Sequence, residues 1–473
     1  MTDNEVVFAS ASRLSAMLEA HEVSSLELTE LFLERISRIN PQINAYLTVS
    51  AEVAVAQAKE ADTSIAAGDR RGPLHGVPIS LKDLNVTRGI RTTRGSLVYK
   101  DWVPDEDDIV TERLRAAGAV FLGKTNTPEF GHRGTTENRL SEPCRNPWDL
   151  SRTTGGSSGG AAAALAAGLC AVATGSDGGG SIRIPASFCG VYGIKPTQGR
   201  VPAPYAGSGG WRPFSQGGPM ARTVQDACTL FQVLAGADPR DPMALSEAPP
   251  DFVASCRPDA SGLRIAWSPD LGYAAVDGEV RRIAEEAAHT FEALGANVEA
   301  AQMRFDGDAV LDTFQTVWQS DHVANYGTLL PGRRDDLDPV FLAQLEEAAA
   351  WPAGKLSLAL RELELHRARM VEAMRGYDLL LTPTLAVPAF PVGSAPEAID
   401  GRGVSALWGY TPFTYPFNMT GNPAASIPCG FTAGGLPVGL HIVGRHREET
   451  TVILASAAFE EAKPWRDARP AIS

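Results

Sequence analysis

Apolar residues recur at helical spacing near the start of the chain. Ser24 and Glu27 form a capping box, the side-chain pair that begins many helices, and an apolar stripe follows them. The same kind of pattern predicts further helices over residues 51–67, 107–117, 279–294 and 358–374.

Short apolar runs lie between these helices and predict buried strands. The run 77–81 predicts a strand that enters the interior and delivers Lys82 at its end. Further strands are predicted over residues 119–122, 263–267, from 297 onward and over 378–382, and a loop rich in Pro and Ala over 385–398. Helices and strands thus alternate, without a repeat of fixed period or a linker. The simplest fold class is α/β, with a single α/β/α layered domain over residues 1–473 around a large mixed β-sheet.

One stretch carries no charge from Thr153 to Ser176. It consists largely of Gly, Ala, Ser and Thr, which are too weakly apolar for a membrane helix, and Arg152 and Asp177 bound it. This composition predicts a tightly packed interior segment.

The composition of the 473-residue chain excludes several classes of protein. With 44% hydrophobic and 21% charged residues it is typical of a soluble globular protein, and a net charge of −14 argues against nucleic acid as a main partner. No basic cluster suits an anionic membrane, and residues 1–10 lack the features of a secretory signal, so we expect a cytoplasmic protein with no membrane partner. The cysteines and histidines show no metal-ligand spacing, so neither a metal nor a cofactor is predicted, and the thiols are expected to be reduced.

Glycine is unusually dense from Gly155 to Gly199, and this segment carries the candidate chemistry. Three glycines precede Ser181, so the backbone can turn sharply and point several N–H groups into one concavity. Pro185 fits the first turn of a helix that starts near Ser181. A hydroxyl beside several N–H donors suits acyl transfer, because negative charge grows on the carbonyl oxygen during attack. A phosphate-binding glycine loop is the alternative, and the missing G-K-[ST] ending and the charge of Asp177 weaken it.

A nucleophilic serine also needs a base. None of the histidines lies in a G-x-S-x-G setting, whereas a lysine can serve if burial and positive neighbours lower its pKa until it is neutral. Lys82, at the end of an apolar strand, suits that role.

These motifs resemble those of the amidase signature family. Segment 157–181 resembles the family's defining segment, and segment 77–83, with the sequence Val-Pro-Ile-Ser-Leu-Lys-Asp, resembles its lysine motif. Similar blocks occur at residues 123–130, 190–200, 379–384 and 435–440. The resemblance therefore extends over nearly the whole chain, with a core signature region at about 70–230.

The resemblance implies a catalytic triad and the residues around it. Ser181 would be the nucleophile, Lys82 the neutral base, and Ser157, after a cis peptide bond to Gly156, would pass protons between them. The other implied positions are Gly178, Gly179, Gly180 and Ser181 for the oxyanion hole, Gly131 for a substrate contact, and Ser158, Asp177 and Arg183 for support, with an Asp177–Arg183 ion pair.

Two positions depart from the family's pattern. The family often has Thr where this chain has Gly178, and Asn where it has Leu84, and neither change removes a catalytic group. The small Gly131 could leave room for a bulky substrate. His132 and Arg133 beside it are expected at the surface or in a loop rather than in catalysis.

Two further segments have two interpretations each. The aromatic residues of segment 408–417 are expected either in the core or in the wall of a substrate cleft. Segment 202–214, with Tyr205 and Trp211, forms either a loop over the cleft or an ordinary connection.

The sequence therefore predicts an amidohydrolase that splits C–N acyl bonds through an acyl-enzyme on Ser181. Its substrates would be small-molecule amides, among them aryl amides and nylon-type oligomers, or carbamates, which would make it a urethanase; the expected state is a monomer or homodimer. One alternative is the A subunit of a tRNA-dependent amidotransferase, a glutaminase in which Gln is common where this chain has Ile184. A non-catalytic binding protein on the same fold is the other alternative, and the presence of all three triad members argues against it.

Overall fold

The first predicted helix is present in a computed structural model of the chain. The structure describes residues 2–203, 214–301, 303 and 305–472. The helix spans Ser25–Ile43, and the Ser24 hydroxyl accepts a hydrogen bond from the backbone N–H of Glu27 at 3.1 Å. The Glu27 carboxylate in turn accepts one from the N–H of Ser24 at 2.8 Å. The predicted capping box is confirmed, and it satisfies N–H groups that the start of a helix leaves without partners.

The other predicted helices are also present, with ends that shift by a few residues. The helix predicted from residue 358 begins earlier, at Ala353, directly after Pro352, whose extended backbone precedes the first turn. The helix Gly307–Tyr326 is absent from the prediction, although Asp306 caps it. The α-helices of the described residues are Asp3–Val7, Ala11–Glu19, Ser25–Ile43, Ala51–Ala66, Ile109–Ala116, Gly159–Ala166, Arg183–Cys189, Val224–Leu234, Phe252–Ser255, Gly278–Ala293, Gly307–Tyr326, Leu330–Arg333, Pro339–Ala349, Ala353–Ala373, Tyr415–Met419 and Glu449–Ala462.

Eleven strands of the described residues form one mixed β-sheet, which confirms the predicted α/β fold with a large mixed sheet. Pro78–Lys82 pairs parallel with Val120–Thr125 and with Val172–Asp177, whereas Ala424–Phe431 and Pro437–Gly444 pair antiparallel. The order across the sheet is Tyr46–Val49, Val120–Thr125, Pro78–Lys82, Val172–Asp177, Gln216–Ala221, Tyr192–Lys195, Ala424–Phe431, Pro437–Gly444, Leu379–Pro383, Arg264–Trp267 and Asn297–Ala300. Short strands outside this sheet pair Arg145–Asn146 with Asp149–Thr153 and Ala398–Ile399 with Arg402–Gly403.

The uncharged stretch after Arg152 lies in the interior. Its helix, Gly159–Ala166, is buried along its whole length. A Cβ atom at Gly160 would lie 2.3 Å from the backbone N of Asn126, so only glycine allows this close approach. The prediction of a tightly packed interior segment is confirmed. Within the described ranges, no helix combines the length and the apolarity needed to cross a membrane.

Two neighbouring strands position the candidate chemistry. Pro78–Lys82 and Val172–Asp177 are parallel and end at Lys82 and Asp177. Parallel strands present their carboxyl ends at the same edge of a sheet, which is where ligands of α/β proteins bind. The fold thus brings the predicted base and the glycine-rich loop after Asp177 to one place.

The large sheet takes its strands from Tyr46 through Gly444. We propose on this ground that residues 1–473 form a single domain. Tyr205 and Trp211, named above for a loop over the cleft, lie outside the described residues.

Candidate active site

The amine of Lys82 lies among three hydroxyl groups. Its Nζ is 2.8 Å from Ser157 Oγ, 2.8 Å from Ser158 Oγ and 2.9 Å from Ser176 Oγ. The side chain is fully buried, and the backbone N–H of Lys82 donates to Thr174 Oγ1 at 2.9 Å. The structure brings together Lys82, Ser157 and Ser158, which the sequence singles out. It adds Ser176 and Thr174, which no sequence motif singled out.

Burial controls the charge of this amine. It lowers the pKa of Lys82 from 10.5 to about 7, although the negative charge of Asp177 opposes the shift. The Ser158 hydroxyl has an acceptor in the carbonyl oxygen of Ser176 at 3.3 Å, so its own oxygen can receive an N–H of the amine. The Ser157 hydroxyl has no other partner in the described part of the chain, so it can donate to the amine lone pair. At neutral pH Lys82 can therefore take a proton from Ser157.

The two serines of the predicted triad lie on adjacent segments. The peptide bond between Gly156 and Ser157 is cis, as predicted. The next N–H, that of Ser158, donates to the carbonyl oxygen of Ser181 at 3.1 Å. Ser157 and Ser181 are 2% and 5% exposed, so the hydroxyls act in a largely water-free environment.

The loop before Ser181 presents N–H groups without acceptors. Among the described residues, none accepts a hydrogen bond from the N–H of Gly178, Gly179 or Ser181, although the loop is buried. Buried N–H groups almost always have a partner, so three together suit the binding of a negatively charged oxygen. The N–H of Gly180 departs from the expected role, because it donates to Asp177 Oδ1 at 2.8 Å. Gly180 therefore shapes the candidate oxyanion hole without supplying a donor to it.

A buried ion pair holds this loop, and it confirms the predicted pairing of Asp177 with Arg183. The guanidinium Nε and Nη2 donate to the two carboxylate oxygens at 2.9 and 2.8 Å, and both side chains are fully buried. Burial alone would raise the pKa of Asp177. The charge and hydrogen bonds of Arg183, the charge of Lys195 and a hydrogen bond from Asn418 together hold this pKa well below its usual range. The ionised carboxylate also accepts the N–H of Ile182 at 3.1 Å.

Residues from late in the chain complete this support. Arg183 also donates to the carbonyl oxygen of Thr414 at 3.0 Å and to Asn418 Oδ1 at 2.6 Å. Asn418 Nδ2 donates to Asp177 at 2.8 Å. Neither Thr414 nor Asn418 was predicted, and their place in or beside the aromatic segment 408–417 is the signal that could have drawn attention to them.

Gly131 lies directly beside Ser157. A Cβ atom at Gly131 would lie 3.1 Å from Ser157 Oγ and 3.1 Å from Leu84 Cδ1, and its φ of +74° favours glycine. Space and backbone conformation both favour glycine at this position. Leu84, one of the two departures from the family's pattern, supplies the apolar surface there.

His132 follows in a loop, as expected, but it is buried rather than at the surface. Its Nδ1 lies 2.8 Å from the carbonyl oxygen of Glu129, and burial together with the charge of Arg133 lowers its pKa to about 4. Arg133 is partly buried and donates to Asp338 at 3.2 Å. Within the described residues, no group of three or more His, Cys, Asp and Glu side chains could hold a metal ion.

The aromatic residues of segment 408–417 are buried. Trp408 packs edge to face on Phe314, with 4.9 Å between ring centroids. A Cβ atom at Gly179 would lie 2.9 Å from Phe314 and 3.1 Å from Trp408. The segment therefore belongs to the core and at the same time borders the loop before Ser181.

The whole chain is similar to known amidases and to the A subunit of an amidotransferase. The sequence model of the Amidase family matches residues 27–453. The acylamidase of Rhodococcus erythropolis is 38% identical over 479 residues, which cover 100% of this chain and 99% of that protein. The A subunit of the glutamyl-tRNA(Gln) amidotransferase of Moorella thermoacetica is 38% identical over 493 residues, covering 98% and 99%. The crystal structure of a bacterial aryl acylamidase of the amidase signature family matches with a TM-score of 0.92 at 32% identity, covering 98% and 99%.

Replacing Arg183 by Gln tests how far the loop depends on its ion pair. Arg183→Gln leaves Asp177 buried and ionised without its partner, so the free energy of unfolding should fall by about 3–5 kcal/mol at neutral pH. The loss should shrink in acid, because Asp177 of the variant becomes protonated at a higher pH than in the wild type. Urea unfolding at about pH 7 and about pH 5 measures both effects.

Arg282→Gln is the matched control. Arg282 pairs with Glu286 at 2.8 Å, but both side chains are more than half exposed, and such pairs contribute only about 0–1 kcal/mol. Equal losses in the two variants would contradict a structural role for the buried pair.

Proposed function

We propose that this chain, which belongs to the amidase family and is an amidohydrolase, forms an acyl-enzyme on Ser181 when it splits a carbon–nitrogen bond. The observation that carries the proposal is the group of N–H donors at Ser181 that have no acceptor among the described residues, close to a buried lysine with a pKa of about 7. Acyl transfer needs a nucleophile, a neutral base and donors for the oxyanion, and we assign these roles to Ser181, Lys82 and the N–H groups at Ser181.

The reaction begins with two proton transfers. Neutral Lys82 takes the proton of Ser157, and Ser157 takes that of Ser181, while Ser181 Oγ forms a bond with the acyl carbon. The π electrons of the carbonyl group move to its oxygen, which becomes an oxyanion. The N–H groups of Gly178, Gly179 and Ser181 donate to this oxygen; removing one such donor typically costs about 3–4 kcal/mol.

The amine then leaves. Ser157 gives its proton to the departing nitrogen and regains one from Lys82, the C–N bond breaks, and the acyl group stays on Ser181. Amines leave poorly unless they are protonated. A proton relay that reaches the leaving nitrogen therefore allows the enzyme to cleave amides and not only esters. Water next attacks the acyl carbon with the same relay as base, and the acid departs as Ser181 regains its proton.

We propose small amides with apolar groups, including aryl amides, as the substrates. Similar proteins are an acylamidase and an aryl acylamidase. Leu84 supplies apolar surface beside Gly131 and Ser157. Phe314 and Trp408 are apolar neighbours of Gly179. Carbamates and nylon-type amides share the acyl–nitrogen bond and fall within the same proposal.

The A subunit of an amidotransferase is the second candidate, because one such protein is 38% identical to this chain. Ile184 favours the independent hydrolase: it replaces the Gln common in those proteins and lies in a buried apolar cluster. The net charge of −14 is also poorly suited to an RNA partner. We therefore propose an enzyme that works without nucleic acid. We also propose that it works in the cytoplasm, as a monomer or homodimer.

The purified chain alone should release amine from a simple anilide without partner proteins, tRNA or ATP. The released acid should carry oxygen from the solvent, because water attacks the acyl-enzyme. A panel of anilides, aliphatic amides and carbamates in water enriched in heavy oxygen, read by mass spectrometry, measures both properties. A chain that is inert to the whole panel, yet hydrolyses glutamine once the other components of an amidotransferase are added, would belong to such a complex instead.

Ser181→Ala should give a folded protein whose kcat/KM is lower by at least about a thousandfold, because the variant lacks the nucleophile. Ser456→Ala is the control: Ser456 is also buried, but it lies in the helix Glu449–Ala462 and donates to the carbonyl oxygen of Val452. Steady-state rates and mass spectrometry of the trapped acyl group measure the effect. A Ser181→Ala rate above about a tenth of the wild-type rate would assign the reaction to another nucleophile.

The pH dependence should report the charge of Lys82. Below its pKa, which burial lowers to about 7, the amine is protonated and cannot take a proton from Ser157. The value of kcat/KM should therefore rise with pH through this pKa and then level off. Lys82→Ala should lose this rise, whereas Lys100→Ala, at an exposed lysine, should keep it. A flat wild-type profile with acylation as the slow step would exclude a lysine base.

A further inference from the structure

We propose that Thr414 is a positioning residue of the oxyanion hole, because its hydroxyl fixes the peptide group between Gly179 and Gly180. Thr414 Oγ1 donates to the carbonyl oxygen of Gly179 at 2.7 Å. This inference rests on the proposed acyl transfer at Ser181 and adds a residue from late in the chain to it.

The same peptide group is held at its other end as well. Its N–H, that of Gly180, donates to Asp177 Oδ1 at 2.8 Å. A peptide group is planar, so fixing its oxygen and its N–H fixes the orientation of the whole plane. Thr414 and Asp177 thus act as a clamp on one peptide, one on the acceptor side and one on the donor side.

The clamp matters because the loop has little stiffness of its own. Glycine populates a wide range of backbone angles, and Gly180 has a φ of +131° that other residues rarely adopt. The N–H groups of Gly179 and Ser181 belong to the two peptide groups that flank the clamped one. Without the clamp, the ψ angle of Gly179 and the φ angle of Gly180 would be free to change, and these angles set how the two flanking donors are oriented relative to each other.

Thr414 is itself held firmly. Its side chain is fully buried, and its carbonyl oxygen accepts a hydrogen bond from Arg183 Nη1 at 3.0 Å. The hydroxyl has a second acceptor, the carbonyl oxygen of Thr411 at 3.1 Å, but the bond to Gly179 is shorter. A Cβ atom at Gly180 would lie 2.4 Å from Thr414 Oγ1, so the threonine sits directly against the loop.

Thr411 provides a matched comparison within the same segment. It is also fully buried, and its hydroxyl donates to a backbone carbonyl, that of Trp408, at 3.0 Å. Its hydroxyl has no hydrogen bond to residues 178–181 in the described part of the chain. Replacing either threonine by Val removes one buried hydroxyl, but only one of the two changes touches the oxyanion loop.

The kinetic test compares Thr414→Val, Thr414→Ser and Thr411→Val. Thr414→Val should lower kcat about 10- to 100-fold while KM changes less than about threefold, because the oxyanion forms only after binding. Thr414→Ser keeps the hydroxyl and should recover most of the rate. Thr411→Val should lose similar thermal stability and change kcat less than about threefold. If Thr414→Val does not fold, Thr414→Cys replaces it, because its thiol is a weaker donor in the same place. The kcat of Thr414→Cys should then lie below that of the wild type and of Thr414→Ser.

A second measurement separates positioning from general loosening of the structure. A trifluoromethyl ketone is attacked by Ser181 Oγ at its carbonyl carbon. The carbonyl oxygen becomes an oxyanion in the candidate hole, and the serine proton passes through Ser157 to Lys82. The affinity of the ketone should fall in proportion to kcat/KM across the Thr414 variants, whereas the affinity of an unreactive amide analogue should not change.

Two outcomes would overturn the assignment of Thr414: a Thr414→Val enzyme with the wild-type kcat, or an equal loss of affinity for both inhibitors. Failure of the proposed acyl transfer would give other results. Ser181→Ala would still turn over substrate, and the ketone would form no bond with Ser181.

Discussion

A carboxylate at the end of a buried strand is stable only when charged and polar partners surround it, and Asp177 is in that position. Arg183 supplies the opposite charge, and the backbone of Gly180 and Ile182 supplies hydrogen bonds. Because these partners come from the chain that leads into and out of Ser181, satisfying the carboxylate also determines the shape of the loop. The geometry of the candidate oxyanion hole thus depends in part on the contacts that stabilise this one buried charge.

The charge state of Lys82 depends on the same pair. Asp177 and Lys82 are both fully buried, yet the pKa of Asp177 favours its charged form, whereas burial lowers the pKa of Lys82 to about 7. The difference lies in their partners, since the hydrogen-bonding groups around Lys82 are uncharged hydroxyls and a backbone carbonyl oxygen, whereas Asp177 has a guanidinium. By pairing with Asp177, Arg183 limits how far that carboxylate can stabilise an ammonium ion at Lys82.

Local patterns in the sequence predict the parts of the site that lie close together along the chain. The strand that ends at Lys82 belongs to this group, because a short, continuous apolar run leaves a visible signal. The Asp177–Arg183 pair was implied by the resemblance to the amidase signature family. The helix Gly307–Tyr326 has a signal too, an Asp306 cap followed by apolar residues at helical spacing, although it was not predicted. Thr414 was beyond prediction, because its contact with Gly179 depends on how distant strands order themselves in the sheet. The N–H of Gly180 was assigned to the oxyanion for a related reason: a glycine run does not show which of its donors a neighbouring carboxylate will occupy.

The distance along the chain between Thr414 and the loop that it holds has a consequence for biosynthesis. Gly179 and Thr414 are separated by 235 positions. A ribosome that has completed residue 400 has already made Lys82, Ser157 and Ser181, but Thr414 and Asn418, which hold the loop from late in the chain, are still to come. Contacts this distant in sequence form late, after the intervening chain has folded. The nascent chain therefore carries Ser181, the proposed nucleophile, long before it carries Thr414, so under this proposal full reactivity requires the nearly complete chain.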